Sequence, residues 1–378
     1  MTVNSAELRR SAAARVAATC PDLAPRWREA VAAVDRALFV PPAVYLPSGT
    51  TWEPVARSDV GEEEWLRMIH SDRTWVTQVE GVDASSAAGP VSGSPTSSAT
   101  LPSLVARTLH IADVHDGDRV LEIGTGTGYS TAVLCHRLGA DHVVSVEYDP
   151  GSAAAAARAL RAAGWTPTLV VGDGLQGHRE GADYDAIVAT CSVRSVPPAW
   201  LSQLAEGGSV TITVSGWMLA AGLIRLTLDD HGALSGRFTA DEVSYMLARP
   251  HERPPHATFY RQTGRTRATR VDPALTERWA ARFVAQLAAP SAELLTTGNG
   301  LVLRDVATGS QAWTEPSGSG WTVHQHGPLS LWDQVEEALE VWNRHGSPGL
   351  VDFGMTATVE DQVVWLGTPD GPSWPLPF

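Results

Sequence analysis

Val120-Leu121-Glu122-Ile123-Gly124-Thr125-Gly126-Thr127-Gly128-Tyr129 is the stretch on which the fold turns. A short apolar run, Arg119–Ile123, meets three glycines at alternate positions and then enters a helical stretch that reaches Leu138. Glycine lets the backbone turn sharply and lets a ligand approach without meeting a Cβ. The helix that follows points the positive end of its dipole at whatever sits over the turn. The spacing is GxGxG, which differs from the GxGxxG of dinucleotide-binding folds.

Outward from this turn the pattern alternates strand and helix. His142–Val146 reads as a second strand, Ser152–Ala163 as an Ala-rich helix, and Thr168–Val171, Tyr184–Ala189 and Ser209–Val214 as further strands. Such alternation predicts an α/β fold with a doubly wound, mostly parallel sheet. Acids and small residues fall at the strand ends, where a nucleoside ligand needs them. Glu147 lies 23 positions after Gly124 and is suited to both ribose hydroxyls. Asp173-Gly174 follows the third strand, within reach of an adenine amino group, and Thr190 ends the fourth near the ligand edge. Asp185 begins that strand and reads as solvated.

Before the turn, Trp27, Val31, Val34 and Leu38 are spaced 4, 3 and 4, which predicts one face of a helix stopped by Pro41-Pro42. The expectation for residues 1–85 is a helical segment, irregular after that helix. Asp83–Thr100 (DASSAAGPVSGSPTSSAT) has the composition of a flexible linker, and equally of a lid that closes over a ligand. Residues 86–240 form the expected ligand-binding domain. Beyond residue 240 the rhythm stops. Asp272-Pro273 and Ser330 start helices, and TATV and VVWL flank Glu360-Asp361-Gln362 as a hairpin, so residues 241–378 predict a smaller α+β domain. Trp279, Trp313, Trp321, Trp332, Trp342, Trp365 and Trp374 fall there, as core or as a peptide-binding surface.

Composition narrows the chemistry. Of 378 residues, 43% are apolar and 19% charged, enough for a sizeable core. The net charge of −14 and the absence of an Arg cluster argue against a general nucleic-acid binder. No run of about 18 apolar residues indicates a membrane span, and the N-terminus has no signal-like apolar region. All 28 basic residues are arginine, so lysine Schiff-base, lysine-nucleophile and P-loop chemistry are excluded. Cys20, Cys135 and Cys191 form no CxxC pair, which fits a reducing cytoplasm. The His324-Gln325-His326 pair reads as structural, and no metal is expected.

The glycine turn with Glu147 and Asp173 resembles the class I S-adenosylmethionine-dependent methyltransferases, whose fold is Rossmann-like. AVDRALFVP (Ala33–Pro41), VLEIGTGTGYSTAVL (Val120–Leu134) and YDAIVAT…VPPAWLSQLAEGGSVTITV (Tyr184–Val214), in this order, resemble the protein-L-isoaspartate O-methyltransferase family over roughly residues 25–240. The resemblance implies S-adenosylmethionine as cofactor, S-adenosylhomocysteine as product and a peptide carboxylate as acceptor. It implies a cofactor site made of Glu122, Gly124, Thr125, Gly126, Gly128, Tyr129, Glu147, Tyr148, Asp173, Gly174 and Thr190. The family's Ser-x-Pro-x-x-x-Ala element matches Thr100-Leu101-Pro102-Ser103-Leu104-Val105-Ala106, so Thr100 stands where the family has serine. Thr100 and Ser98 are the catalytic candidates, and an alignment through Ser94 stays open. The extra C-terminal length is similar to that of extended actinobacterial members associated with lanthipeptide and ATP-grasp peptide maturation. This implies methylation of an Asp or isoAsp in a modified precursor peptide, giving an ester that closes to aspartimide. General isoaspartate repair is the alternative, and a non-catalytic cofactor-binding peptide chaperone the second. The sequence carries no statement of oligomeric state.

Overall fold

The computed structural model describes residues 5–255, 260–262, 264–297 and 300–377. The chain divides into two compact units, Met1–Cys191 with Ser202–Thr211, and Ser192–Leu201 with Ile212–Phe378. The division falls inside two strands, earlier than the change of rhythm near residue 240.

The first unit opens with helices α1 (Ser5–Thr19) and α2 (Pro25–Ala33). Proline at the first position presets the backbone of α2. The helix ends at Ala33 because Asp35 takes the Ala37 N–H (3.1 Å) and starts a 3-10 turn over Arg36–Leu38. Leu38 consequently leaves the expected helical face and is 43% exposed, while Trp27 and Val31 are buried. The rest of the first 85 residues, expected to be irregular, is largely ordered. It holds strands β1 (Ala43–Ser48) and β2 (Thr51–Ala56), short helix α3 (Arg57–Val60), helix α4 (Glu62–Ile69), and strands β3 (Trp75–Val79) and β4 (Val82–Asp83).

The Ser-rich stretch that follows contains strands β5 (Val91–Ser92) and β6 (Pro95–Ala99). These join β1–β4 in a six-stranded sheet in which β6 pairs with β3. The register runs Trp75 with Ala99, Val76 with Ser98 and Gln78 with Ser97, with irregularities on either side of Gln78. A linker composition thus holds a hydrogen-bonded strand, because the ladder is supplied by backbone groups rather than by apolar side chains.

Helix α5 (Pro102–Ala112), strand β7 (Val120–Ile123), helix α6 (Tyr129–Leu138), strand β8 (Val143–Glu147), helix α7 (Pro150–Ala162), and strands β9 (Thr168–Val171) and β10 (Tyr184–Val193) then alternate as expected. Strand β7 is parallel to β8 and β10, and β8 is parallel to β9. Helix α7 begins where the Asp149 carboxylate takes the Ser152 N–H (2.6 Å) ahead of Pro150. The unit's main core gathers Val16, Trp27, Val31, Leu109, Val120, Leu134 and Val143 from these helices and strands. Each such side chain contributes roughly 1.5–3 kcal/mol on burial.

Helix α8 (Pro198–Leu201) and strand β11 (Leu204–Val214) lead into the second unit. There β12 (Gly222–Leu228), β13 (Leu234–Arg237), β19 (Phe353–Ala357), β20 (Gln362–Leu366) and β21 (Ser373–Pro375) pair antiparallel. A separate sheet has β14 (Arg265–Ala268), β18 (Gly320–His326), β17 (Gln311–Ser317), β16 (Gly300–Asp305) and β15 (Ala292–Thr297) in that order. Helices α9 (Trp279–Ala288) and α10 (Leu331–Arg344) complete the unit. Trp332, Trp342, Trp365 and Trp374 are buried, as the core reading expects, while Trp279, Trp313 and Trp321 are half-buried. Trp313 stacks on His324 at 3.7 Å. His324 Nδ1 and Nε2 are engaged by Thr266 and Glu315, at 3.1 and 3.0 Å.

Candidate functional site

The glycine turn lies at the carboxyl ends of the parallel strands β7, β8 and β10. It is tied down by its own backbone: the Gly124 and Thr125 N–H groups donate to the Val146 carbonyl (2.8 and 3.3 Å) and Gly128 N–H to the Thr125 carbonyl (2.8 Å). All three glycines have positive φ, but they are needed for different reasons. At Gly124 a Cβ would stand 2.9 Å from Thr190 Oγ1, and at Gly128 it would stand 3.2 Å from Ala156 Cβ. At Gly126, with φ +54°, it would meet only the Ser98 carbonyl, 3.8 Å away. Two of the glycines therefore allow close packing, and the third opens space above the turn.

Glu147 closes one side of that space. Its Oε2 accepts from Gly126 N–H (2.7 Å) and its Oε1 from Asp149 N–H (2.9 Å). The carboxylate is thus oriented before any ligand arrives, with lone pairs remaining on both oxygens. Gly172 N–H donates to the Glu147 carbonyl (2.9 Å), which brings the next strand end alongside. Asp173 there caps a short 3-10 turn through Leu175 N–H (2.9 Å), and Gly174 packs so closely on Ile123 that a Cβ would lie 2.5 Å from it. Thr190 donates its hydroxyl to the carbonyls of Ile123 and Gly124, 3.2 and 2.5 Å away.

Other expected site residues lie beneath or beside the turn. Glu122 is wholly buried; its Oε2 accepts from Thr131 and Ser145 (2.5 and 2.7 Å), and Ser145 also shares a hydrogen bond with Thr125 (2.6 Å). Burial pushes the Glu122 carboxyl above its ordinary range despite these hydroxyl donors. Tyr129 is buried edge-on to Phe39 at 6.1 Å, and burial raises its hydroxyl to about 12. Tyr148, next to Glu147, is 52% exposed. Desolvation raises the Cys191 thiol to about 12, so it stays protonated at neutral pH beside the turn. Among the described residues no group of three or more His, Cys, Asp or Glu could hold a metal ion.

Strand β6 carries the catalytic candidates to this place. Ser98 is paired with Val76 and presents its carbonyl toward Gly126. Thr100 follows two residues on, half-buried at the entrance to α5. The first turn of α5 is held by Asp72, which takes the Ser103 N–H (2.9 Å), and by Thr74, which takes the Leu101 N–H (3.1 Å). The glycine turn, the Glu147 carboxylate and the Ser98 carbonyl of β6 thus lie next to one another.

Residues 72–238 match the family model for protein-L-isoaspartate(D-aspartate) O-methyltransferase. The chain is 40% identical over 127 residues to the protein-L-isoaspartate O-methyltransferase of Ignicoccus hospitalis, covering 33% of this chain and 59% of that one. It is 37% identical over 115 residues to enzyme 2 of that name from Archaeoglobus fulgidus, covering 30% and 52%. It is 38% identical over 130 residues to the Protochlamydia amoebophila protein, covering 34% and 61%. The chain thus spans somewhat more than half the length of these curated relatives. A solved structure titled protein-L-isoaspartate O-methyltransferase superposes with a TM-score of 0.53 at 18% identity, over 95% of this chain and all of that one. At that identity the likeness speaks for the fold, which is Rossmann-like α/β as the alternation predicts.

Residues the sequence reading missed are Asp72, Thr74 and above all Arg36. Arg36 is 2% exposed, and its guanidinium is bound by five backbone carbonyls. The one available signal was a charged pair, Asp35-Arg36, inside the otherwise apolar AVDRALFVP.

Proposed function

We propose that this chain is an S-adenosylmethionine-dependent carboxyl O-methyltransferase that esterifies an aspartyl or isoaspartyl side chain in a peptide and leaves S-adenosylhomocysteine. The observation that carries the reading is the open space at Gly126, bounded by Glu147 on one side and by the Ser98 carbonyl on the other. The residues present fit such a cofactor. Positive φ and a missing Cβ leave room against the turn, and an oriented carboxylate awaits ribose hydroxyls.

The cofactor, when bound, supplies an electrophilic methyl group. Glu147 binds the ribose and Asp173 the adenine amino group, with Tyr148 beside them. Gly124, Thr125, Gly126 and Gly128 shape the turn. Glu122 and Thr190 brace it from below and beside, through Ser145 and through the Gly124 carbonyl. Tyr129 supports the start of α6. The Thr100 hydroxyl orients the acceptor carboxylate. A carboxylate is already ionised at neutral pH, so no strong general base is needed. Catalysis then rests on positioning the acceptor carboxylate against the donor rather than on proton transfer. Methanol leaves an ester far more readily than water leaves the unmodified carboxylate. The neighbouring amide nitrogen attacks the ester carbonyl, methanol departs, and the succinimide hydrolyses to Asp or isoAsp.

The finer reading is tailoring of one ribosomally made precursor peptide. Supporting it are Thr100 in place of the family's serine and the half-buried Trp279, Trp313 and Trp321 of the C-terminal unit. General isoaspartate repair stands beside it, supported by the match of residues 72–238 to the protein-L-isoaspartate(D-aspartate) O-methyltransferase family model. A cytoplasmic setting belongs to both, and it agrees with three cysteines that form no disulfide. Among the described residues no helix is long and apolar enough to cross a membrane.

The test incubates the purified chain and donor with a linear isoaspartyl peptide and with a macrocyclic aspartyl peptide, and follows the mass gain of one methylene by mass spectrometry. Faster esterification of the cyclic peptide is expected. Equal or faster esterification of the linear one overturns tailoring in favour of repair. Donor binding without ester on either peptide would overturn catalysis and leave a cofactor-binding peptide chaperone.

A further inference from the structure

Arg36 carries the strongest observation outside the glycine turn. Its Nη1 donates to the carbonyls of Ile69 (2.6 Å) and Ser71 (2.9 Å). Its Nη2 donates to those of Arg73, Ala99 and Thr100, each at 2.9 Å. Among the described residues all its hydrogen-bond acceptors are backbone carbonyls. Burial lowers its pKa to about 10, which leaves it charged at neutral pH. A buried cation is costly unless its donors are satisfied; here carbonyl dipoles from two separate chain segments engage both Nη groups, while the buried Nε has no acceptor among the described residues.

Those two segments are the ones that build the acceptor side of the site. One is the turn at residues 69–74, which supplies Asp72 and Thr74 to the start of α5. The other is the junction at residues 99–100, where β6 ends and Thr100 stands. The guanidinium carbon also lies 5.9 Å from the centre of the Tyr129 ring. Tyr129 is the first residue of α6, directly after the glycine turn. One side chain therefore touches the strand end that bears the hydroxyl, the turn that caps the next helix, and the helix start on the donor side.

We propose that Arg36 is a positioning residue for methyl transfer, fixing the Thr100 backbone relative to the glycine turn. This rests on the methyltransferase reading above. Arg36 touches neither the cofactor nor the acceptor; it acts through Thr100 and Tyr129. A planar fork of donors can bind carbonyls from two segments at once. A lysine, with three donors at one point, cannot reproduce that spread. Displacing a reacting group by about 1 Å costs on the order of 100-fold in rate.

The test uses the full chain with Arg36→Ala and Arg36→Lys. Affinity for S-adenosylhomocysteine is measured by calorimetry, and kcat and KM are measured on the linear isoaspartyl and macrocyclic aspartyl peptides. Both variants are assayed with and without added methylguanidinium at sub-denaturing concentration. The expected result is unchanged S-adenosylhomocysteine affinity, kcat lowered about 100-fold in Arg36→Ala, partial recovery with methylguanidinium, and an intermediate kcat in Arg36→Lys. If Arg36→Ala does not fold, the Lys variant decides alone: a lowered kcat at unchanged cofactor affinity supports the role. Wild-type kcat in a folded variant overturns it, as does parallel loss of cofactor affinity and kcat, or failure of methylguanidinium to restore folded Arg36→Ala. Wild type that esterifies neither peptide overturns the methyltransferase reading and this proposal with it. Wild type that esterifies while the variants match it overturns this proposal alone.

Discussion

At Gly126 the backbone has φ +54°, and the first atom an added Cβ would meet is the Ser98 carbonyl oxygen at 3.8 Å. That combination separates binding from transfer. Valine there is strained by about 1–2 kcal/mol in the left-handed region, and its methyl groups enter the space assigned to the donor. Gly126→Val is expected to lower S-adenosylhomocysteine affinity by more than about tenfold, measured by calorimetry. Thr100→Ala should do the opposite, slowing ester formation at nearly unchanged cofactor affinity, with Thr100→Ser retaining activity. Full activity in Thr100→Ala would show that another hydroxyl, such as Ser98 or Ser94, holds the acceptor. The positions of Gly126, Glu147 and Asp173 were legible as a set because they follow from local strand-end junctions. Tyr129 was legible only as part of a motif; that its ring is buried against Phe39 and Arg36 depends on a segment ninety residues away in sequence.

Among the elements, α7 shows how a cap and a site share one residue. The Asp149 side chain caps α7 through Ser152 N–H, while its own N–H orients Glu147. Asp149→Ala removes the cap and keeps the backbone donor. Stability should fall by about 1 kcal/mol, read as a midpoint shift of a few degrees in thermal unfolding, with cofactor affinity little changed. A large loss of affinity would mean that the side chain, too, positions Glu147. The parallel strands β7 to β10 were legible from apolar runs punctuated by glycine. Strand β6 was not, because Pro95–Ala99 is half-buried and polar, and only its partner β3 makes it a strand. The α2 face was legible as far as Val31, but Asp35 capped a new turn before Leu38 could join it.

Over the whole molecule, stability depends on keeping ionised those carboxylates whose pKa is held below its unfolded value. Asp35 is the clearest. His70, whose Nε2 lies 3.4 Å from Oδ1, is the largest cause of a pKa held well below the ordinary 3.8; burial opposes this, and Ala37 N–H and the Ser5 hydroxyl assist. A depressed carboxylate contributes stability that is present above its unfolded-state pKa and lost as the pH falls toward its folded one. Asp35→Asn should therefore start with a lower melting temperature at neutral pH and lose less of it than wild type as the pH drops below about 4. Parallel melting curves across that range would remove Asp35 from the account of acid unfolding.

The sequence by itself determined the glycine turn, the strand–helix alternation around it, the acid at the end of β8 and the exclusion of lysine chemistry. Each of these is written in neighbouring residues, so local geometry suffices to read it. Only the tertiary structure decided that a Ser-rich stretch is a paired strand and that Arg36 gathers the turn at residues 69–73 and the end of β6. Its acceptors are backbone carbonyls 33 to 64 residues away. Every residue carries a carbonyl, so no pattern of side chains marks which ones a buried guanidinium will find.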